Sequence, residues 1–224
     1  MSPRSDPPVI AIDGPSASGK GTVAAEVAKA LGFHYLDSGA LYRLVTLAAL
    51  RSGTSLDDGE ALAALASRMS VEFRGVAAWL EGGDVSADLR TEEVSAGASR
   101  VAAQPKVREA LLTRQRAFRA PPGLVADGRD MGSVVFPDAP LKVFLTAGVG
   151  TRAERRHKQL MEKGMYAKMG DVVEELRRRD ERDTSRPVAP LKHYPDAIFL
   201  DTTGLTVAEA VRSILGWWRE IPRG

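Results

Sequence analysis

The chain has 224 residues, with 31 Lys and Arg against 29 Asp and Glu, a formal net charge of +2 and a pI near 9.0. That length supports a substantial core in one or two domains, and so even a charge balance argues against a general polyanion-binding surface. With no cysteine and three histidines, disulfides and thiolate chemistry are excluded, a structural zinc site is not expected, and a cytosolic location is permitted.

No apolar run is long enough to span a membrane. Residues 1–8 lack the apolar stretch of a signal peptide and read as a disordered lead-in. The apolar run 9–12 with Asp13 predicts a strand. The stretch Gly14-Pro15-Ser16-Ala17-Ser18-Gly19-Lys20-Gly21-Thr22 follows it directly. Gly14, four residues, then Gly19-Lys20 is the spacing of a P-loop, whose N–H groups wrap a phosphate at the start of a helix. Lys20 adds a mobile charge for the β- and γ-phosphates. An ordinary glycine-rich turn has no use for that lysine. Gly21 stands where the motif has Ser or Thr, and Thr22 comes one position later, so Thr22 is a candidate metal contact, direct or through water.

A helix is expected over 20–31, with Val23, Val27, Ala30 and Leu31 as its stripe and Gly32 past its end. A strand at 33–36 then leads into Asp37-Ser38-Gly39 and a helix that Gly53 breaks. Ser38 and Arg43 lie where a second nucleotide would sit. Each alone also reads as a helix cap and a surface arginine. Asp57 or Asp58 caps the next helix. Alternation at 71–73 and 77–81, with Gly75 between, predicts a small antiparallel insert. Thr91 caps a helix running to about 103, and Pro105 opens another.

A buried strand at 124–126 delivers Asp127-Gly128-Arg129-Asp130-Met131-Gly132 at its carboxyl end. Asp127 suits a Walker-B-type position near the phosphates and their metal. Arg129 suits an anionic substrate, and Asp130 suits donors on a base. A further strand is expected at 141–145 and a last one at 197–201. Thr151 with Glu154, Asp171 with Glu174, and Thr206 with Glu209 each fit a capping box. The segment 151–186 carries 11 Lys or Arg and 8 Asp or Glu, a balance that fits a mobile lid with a few directed arginines. On one continuous helix Arg179, Arg182 and Arg186 would share a face. His34, His157 and His193 show no base-like pairing. Short apolar strands alternating with amphipathic helices around a P-loop give an α/β fold, a parallel sheet of about five strands flanked by helices.

The P-loop, Leu36-Asp37-Ser38-Gly39-Ala40-Leu41-Tyr42-Arg43, the stretch from Asp127 to Ala139 and the stretch from Arg179 to Leu191 together resemble the bacterial cytidylate kinases, of the nucleoside monophosphate kinase family of P-loop kinases. The resemblance spans about 9–217 and implies a core of 9–70, 119–150 and 187–224, a monophosphate-binding insert at 71–118 with mixed α/β structure, and a helical lid at 151–186. It implies transfer of the γ-phosphoryl group of ATP, bound with Mg2+, to CMP and dCMP. It places the acceptor's phosphate on Arg43, Arg129 and Arg186, cytosine on Ser99, Arg108 and Asp130, and ribose on Arg179 and Asp183, with Ser38 in the same pocket. Lys20, Arg129, Arg155 and Arg156 are the implied catalytic residues, and Thr22 and Asp127 the candidate metal contacts. A cytoplasmic monomer without nucleic-acid or membrane partners is expected. A P-loop kinase for another small acceptor is the near alternative. A switch protein would carry a guanine-reading Asn-Lys-x-Asp, which the chain lacks. A nucleic-acid module would need an aromatic–basic platform.

Overall fold

The computed structural model describes residues 6–74, 77–162 and 164–222. Most of the expected lead-in (1–5), Gly75 of the insert turn, and Lys163 of the charged segment lie outside the described residues. The chain forms two compact units. One comprises the segments up to Leu36 and from Phe118 onward; the other is Asp37–Ala117.

The first unit begins with β1 (Val9–Asp13), whose first four residues are buried, followed by the phosphate loop and α1 (Lys20–Leu31). Gly19 starts α1 and Gly32 ends it, both in the left-handed region that glycine adopts without steric cost. The buried stripe of α1 is Val23, Ala24, Val27 and Ala28, so the expected Ala30 turns outward. The second strand, β2 (His34–Asp37), leads into the second unit.

There α2 (Ser38–Ser52) is capped by Asp37, which accepts from the Ala40 N–H at 3.1 Å, and Gly53 closes it. Asp58, not Asp57, caps α3 (Gly59–Arg68), accepting from Ala61 N–H at 3.0 Å. Strands β3 (Val71–Arg74) and β4 (Ala77–Leu80) pair antiparallel, and a two-residue β5 (Gly83–Asp84) completes a three-stranded sheet. A 3-10 turn (Asp88–Arg90) precedes α4 (Glu92–Val101), capped by Thr91, and α5 (Pro105–Arg116) opens on Pro105 as expected. Helices α2 and α4 touch closely at Gly97, where a Cβ would stand 2.6 Å from Thr46 Cγ2.

Back in the first unit come β6 (Leu124–Gly128), a π-helical turn (Met131–Val135) and β7 (Leu141–Thr146). Then α6 (Val149–Glu162), α7 (Met169–Ser185), β8 (Ile198–Asp201) and α8 (Val207–Glu220) complete the chain. The sheet order is β2-β6-β1-β7-β8. β1 lies parallel between β6 and β7, in register Val9↔Leu124 and Ile10↔Leu141, and β8 joins β7 in parallel. Ile10 and Ile12 face α1 and α8 in a core that includes Val125, Val143, Leu145, Ile214 and Trp218. Phe33 meets Trp218 edge-on at 5.7 Å. Ala11 and Asp13 belong to the opposite face, where the small side chain of Ala11 lets the π-helical turn pass close at Gly132.

Two of the three expected capping boxes give way. α6 starts two residues before Thr151, because the Gly148 N–H is already satisfied by the Thr203 hydroxyl at 2.9 Å. α7 starts after Lys168, which leaves Asp171 in the first turn and Glu174 bonded to Arg178 at 2.9 Å. Thr206 and Glu209 do form a capping box. Arg186 is not on a face shared with Arg179 and Arg182, because α7 ends at Ser185 and Arg186 is extended (φ −60°, ψ 141°).

Candidate active site

The phosphate loop hangs from the carboxyl end of the central strand, where a parallel sheet opens toward a ligand. Gly14 passes the Leu145 carbonyl so closely that no side chain fits there. Ser16, Ser18 and Lys20 are buried, and the Lys20 ammonium donates to the Pro15 carbonyl at 3.5 Å. Ala17 holds φ +59°, a left-handed conformation that costs a non-glycine residue about 1–2 kcal/mol.

The carboxyl end of neighbouring β6 supplies the second group. Asp127 is buried and accepts from the Tyr35 hydroxyl at 3.3 Å. Its other oxygen lies 3.4 Å from where a Cβ on Gly21 would stand, so the carboxylate borders the first turn of α1. Thr22 is exposed on that turn. Arg129 donates through Nε to Asp183 at 2.7 Å, through one terminal nitrogen to Ser16 Oγ at 2.8 Å, and through the other to the Gly128 carbonyl at 3.1 Å. Burial works against its charge, but Asp183 beside it, with Asp127 and Asp13 near, more than offsets this and raises its pKa. Burial likewise opposes the Asp183 charge, yet Arg129, Arg179 and Arg186 hold its carboxyl below the usual range. Asp130 is buried, with an Arg186 nitrogen 3.9 Å from its carboxylate. Arg186 also donates to the Ala189 carbonyl at 2.5 Å.

Sequence reasoning passed over Asp13. Its two carboxylate oxygens accept the N–H groups of Met131 and Gly132 at 2.8 and 2.9 Å, which pins the turn following Asp130. Burial pushes its pKa up to about 6; the two N–H bonds oppose this and the nearby Asp130 reinforces it. The apolar run of β1 marks the residue as a strand end and gives no sign of its partners.

Of the arginines on α6, Arg155 donates to the Ser18 carbonyl at 2.8 Å and to the Thr202 hydroxyl and carbonyl at 3.2 and 2.7 Å. Arg156 is half-buried on α6. Arg152, which the sequence did not single out, is the most buried of the three. His34, His157 and His193 each bond a main-chain carbonyl.

The second unit carries its own cluster. Asp37 accepts from Arg43 at 2.6 Å while capping α2, which turns Arg43 back toward the helix start; Ser38 beside it is buried. Arg108 on α5 is buried, donates to the Ala102 carbonyl at 3.1 Å and lies over the Tyr42 ring at 5.7 Å. Ser99, one turn before Ala102 on α4, is buried too.

The sequence matches the family described as cytidylate kinase over residues 10–220. It is 60% identical to a cytidylate kinase of Chromobacterium violaceum, over 95% of this chain and 96% of that protein. It is 59% identical to those of Paraburkholderia phymatum (96% and 94%) and Bordetella bronchiseptica (95% of each). A phosphate loop on the central strand of a five-stranded parallel sheet, an Asp-Gly-Arg-Asp turn beside it and these matches along nearly the whole chain agree: the chain belongs to the cytidylate kinase family.

Proposed function

We propose that the chain transfers the γ-phosphoryl group of ATP to CMP, and to dCMP, releasing ADP and the nucleoside diphosphate. The relatives named cytidylate kinase support this. The observation that carries it is the contact of Arg129 with Ser16 at 2.8 Å. It sets a phosphate loop suited to a triphosphate against an Arg-Asp turn suited to a second, cytosine-bearing nucleotide.

Transfer between two anions needs alignment and charge neutralisation more than an acid–base pair. Residues 14–22 would hold the ATP phosphates, with Lys20 on the β- and γ-phosphates and Arg129, Arg155 and Arg156 offsetting charge that develops in transfer. Ser38, Arg43, Ser99, Arg108, Arg129, Asp130, Arg179, Asp183 and Arg186 would bind the acceptor nucleotide. The segment 71–118 would serve as the monophosphate insert, and 151–186 as a lid whose closure excludes water, a competing acceptor.

Among the described residues no three of His, Cys, Asp and Glu are grouped to hold a metal ion. Asp127, a buried oxygen donor bordering α1, fits a hard divalent cation such as Mg2+, which it and Thr22 would hold directly or through water. When bound, the ion neutralises phosphate charge. No helix among the described residues is long and apolar enough to cross a membrane. A cytoplasmic monomer acting on free nucleotides, without nucleic acid, completes the reading. A coupled ADP-release assay with ATP and a panel of CMP, dCMP, UMP, AMP and GMP tests it. CMP and dCMP should lead by at least about tenfold in kcat/KM, and equal use of a purine monophosphate would reject it.

A further inference from the structure

Helix α7 carries Asp180 and Asp183, one turn apart and so on one face. Asp180 accepts from both terminal nitrogens of Arg152, at 3.1 and 2.7 Å. Asp183 accepts from Arg129 Nε at 2.7 Å. The two arginines then reach the same residue of the phosphate loop. Arg152 donates to the Ser16 carbonyl at 3.3 Å, and Arg129 donates to the Ser16 hydroxyl at 2.8 Å. Ser16 is therefore held twice, by main chain and by side chain, each time through an arginine paired with α7.

The peptide whose carbonyl Arg152 holds is the one that leads into Ala17, the residue at φ +59°. The carbonyls of a phosphate loop point away from the anion that its N–H groups face, so a donor on the carbonyl side fixes where those N–H groups aim. A strained conformation persists where its surroundings over-determine it. Arg152 is itself fixed, since its Nε donates to the Ala147 carbonyl at 2.9 Å. Both arginines are largely buried, and a buried cation stripped of its carboxylate is costly, so each pair moves as a unit.

We propose that Arg152 and Asp180 are positioning residues for phosphoryl transfer: together with Arg129 and Asp183 they hold Ser16 and Ala17 in the anion-binding shape and tie the placement of α7 to the ATP phosphate loop. The inference rests on reading residues 14–22 as that loop.

The test uses the full chain and four variants, Asp180→Asn, Arg152→Lys, Ser16→Ala and the double Asp180→Asn/Ser16→Ala, with Lys20→Ala in parallel. KM for ATP, KM for CMP, kcat and Tm are measured for each. Asp180→Asn keeps the size of the side chain and removes its charge. Arg152→Lys keeps the charge but cannot span Asp180 and the Ser16 carbonyl together. Each should raise KM for ATP about fivefold or more while KM for CMP stays within about twofold of the parent, and the fall in Tm from the lost ion pair should leave each variant folded at the assay temperature. Either arm alone still holds Ser16, so the double variant should lose more than the product of the single losses. An unchanged KM for ATP, a parallel rise in both KM values, or a double variant equal to the product overturns the proposal. Near-parent turnover in Lys20→Ala would overturn instead the reading of the loop on which it rests.

Discussion

A Cβ on Gly14 would stand 1.9 Å from the main-chain carbonyl oxygen of Leu145, well inside any tolerable contact. The obstacle is strand β7 itself, which cannot swing aside as a side chain would. Gly14→Ala should therefore destabilise by at least the upper end of the about 1–3 kcal/mol typical of overpacking, lowering Tm by about 5–10 °C. It should also raise KM for ATP, because the displaced residue is the root of the phosphate loop. Thermal melts and ATP titrations check both, and parent-like values in each would show that the strand can yield.

Lys20 is buried within the loop, and its ammonium donates to the Pro15 carbonyl at 3.5 Å. Lys20→Ala should leave Tm within a few degrees and lower kcat by about 10²–10³, the cost of one lost contact to developing charge. Turnover within about threefold of the parent would remove Lys20 from the mechanism.

The folded pKa of Asp13, about 6, lies above its ordinary value of 3.8, so the native state binds that proton more tightly than the unfolded chain does. The stability it contributes is fully present below 3.8 and falls as pH rises through about 6, by about 3 kcal/mol in all. Asp183 works in the other direction and in a lower window: its folded value is depressed, so its contribution is present above 3.8 and lost as pH falls below it. Urea denaturation of the parent and of Asp13→Asn between pH 4 and 7 isolates the first effect. The parent's stability relative to the variant should decline up to about pH 6 and then level off. A pH-independent difference would mean that Asp13 titrates normally.

Cytosine presents an amino donor where uracil presents a carbonyl acceptor, and an ionised carboxylate can only accept. If Asp130 reads the base, Asp130→Asn should lower kcat/KM for CMP and narrow the CMP/UMP ratio, by about 1–3 kcal/mol of discrimination. Arg43→Ala should weaken both acceptors alike, since a phosphate contact is common to them. A CMP/UMP ratio unmoved by Asp130→Asn would take the base-reading role from Asp130.

The segment 151–186 has its own small core of Ala153, Leu160, Val172 and Leu176. As a lid it should gain hydrogen-exchange protection when a bisubstrate analogue binds. Equal protection with and without the analogue would contradict closure.

What could be read from sequence was what is local. The phosphate loop, the strands of the large sheet, the Thr91 cap and the Thr206–Glu209 box depend on residues a few positions apart. Thr151–Glu154 and Asp171–Glu174 fit the same local pattern and failed, because α6 takes its terminal partner from Thr203, far along the chain, and α7 begins at Lys168. Strand β5 is two residues long, too short to show alternation. Arg152 and Asp180 look like any other members of a charged helical run. Only the packing of α6 against α7 separates them from their solvated neighbours, and only the turn after β6 reveals what Asp13 holds.

Because β1 lies at the centre of the sheet, its partners are far downstream: Val9 pairs with Leu124 and Ile10 with Leu141. During synthesis, the strand that roots the phosphate loop emerges early and finds no ladder until β6 and β7 have followed it out. Chain-closure entropy must be met before those pairings yield any gain, which makes such non-local sheets slow to form. The unit Asp37–Ala117, by contrast, closes on contacts among its own helices and hairpin. Once formed, it shortens the effective loop between β2 and β6. A nascent chain thus carries an unpaired apolar strand, Val9 to Ile12, until its second half arrives, and for that interval this strand is exposed to aggregation.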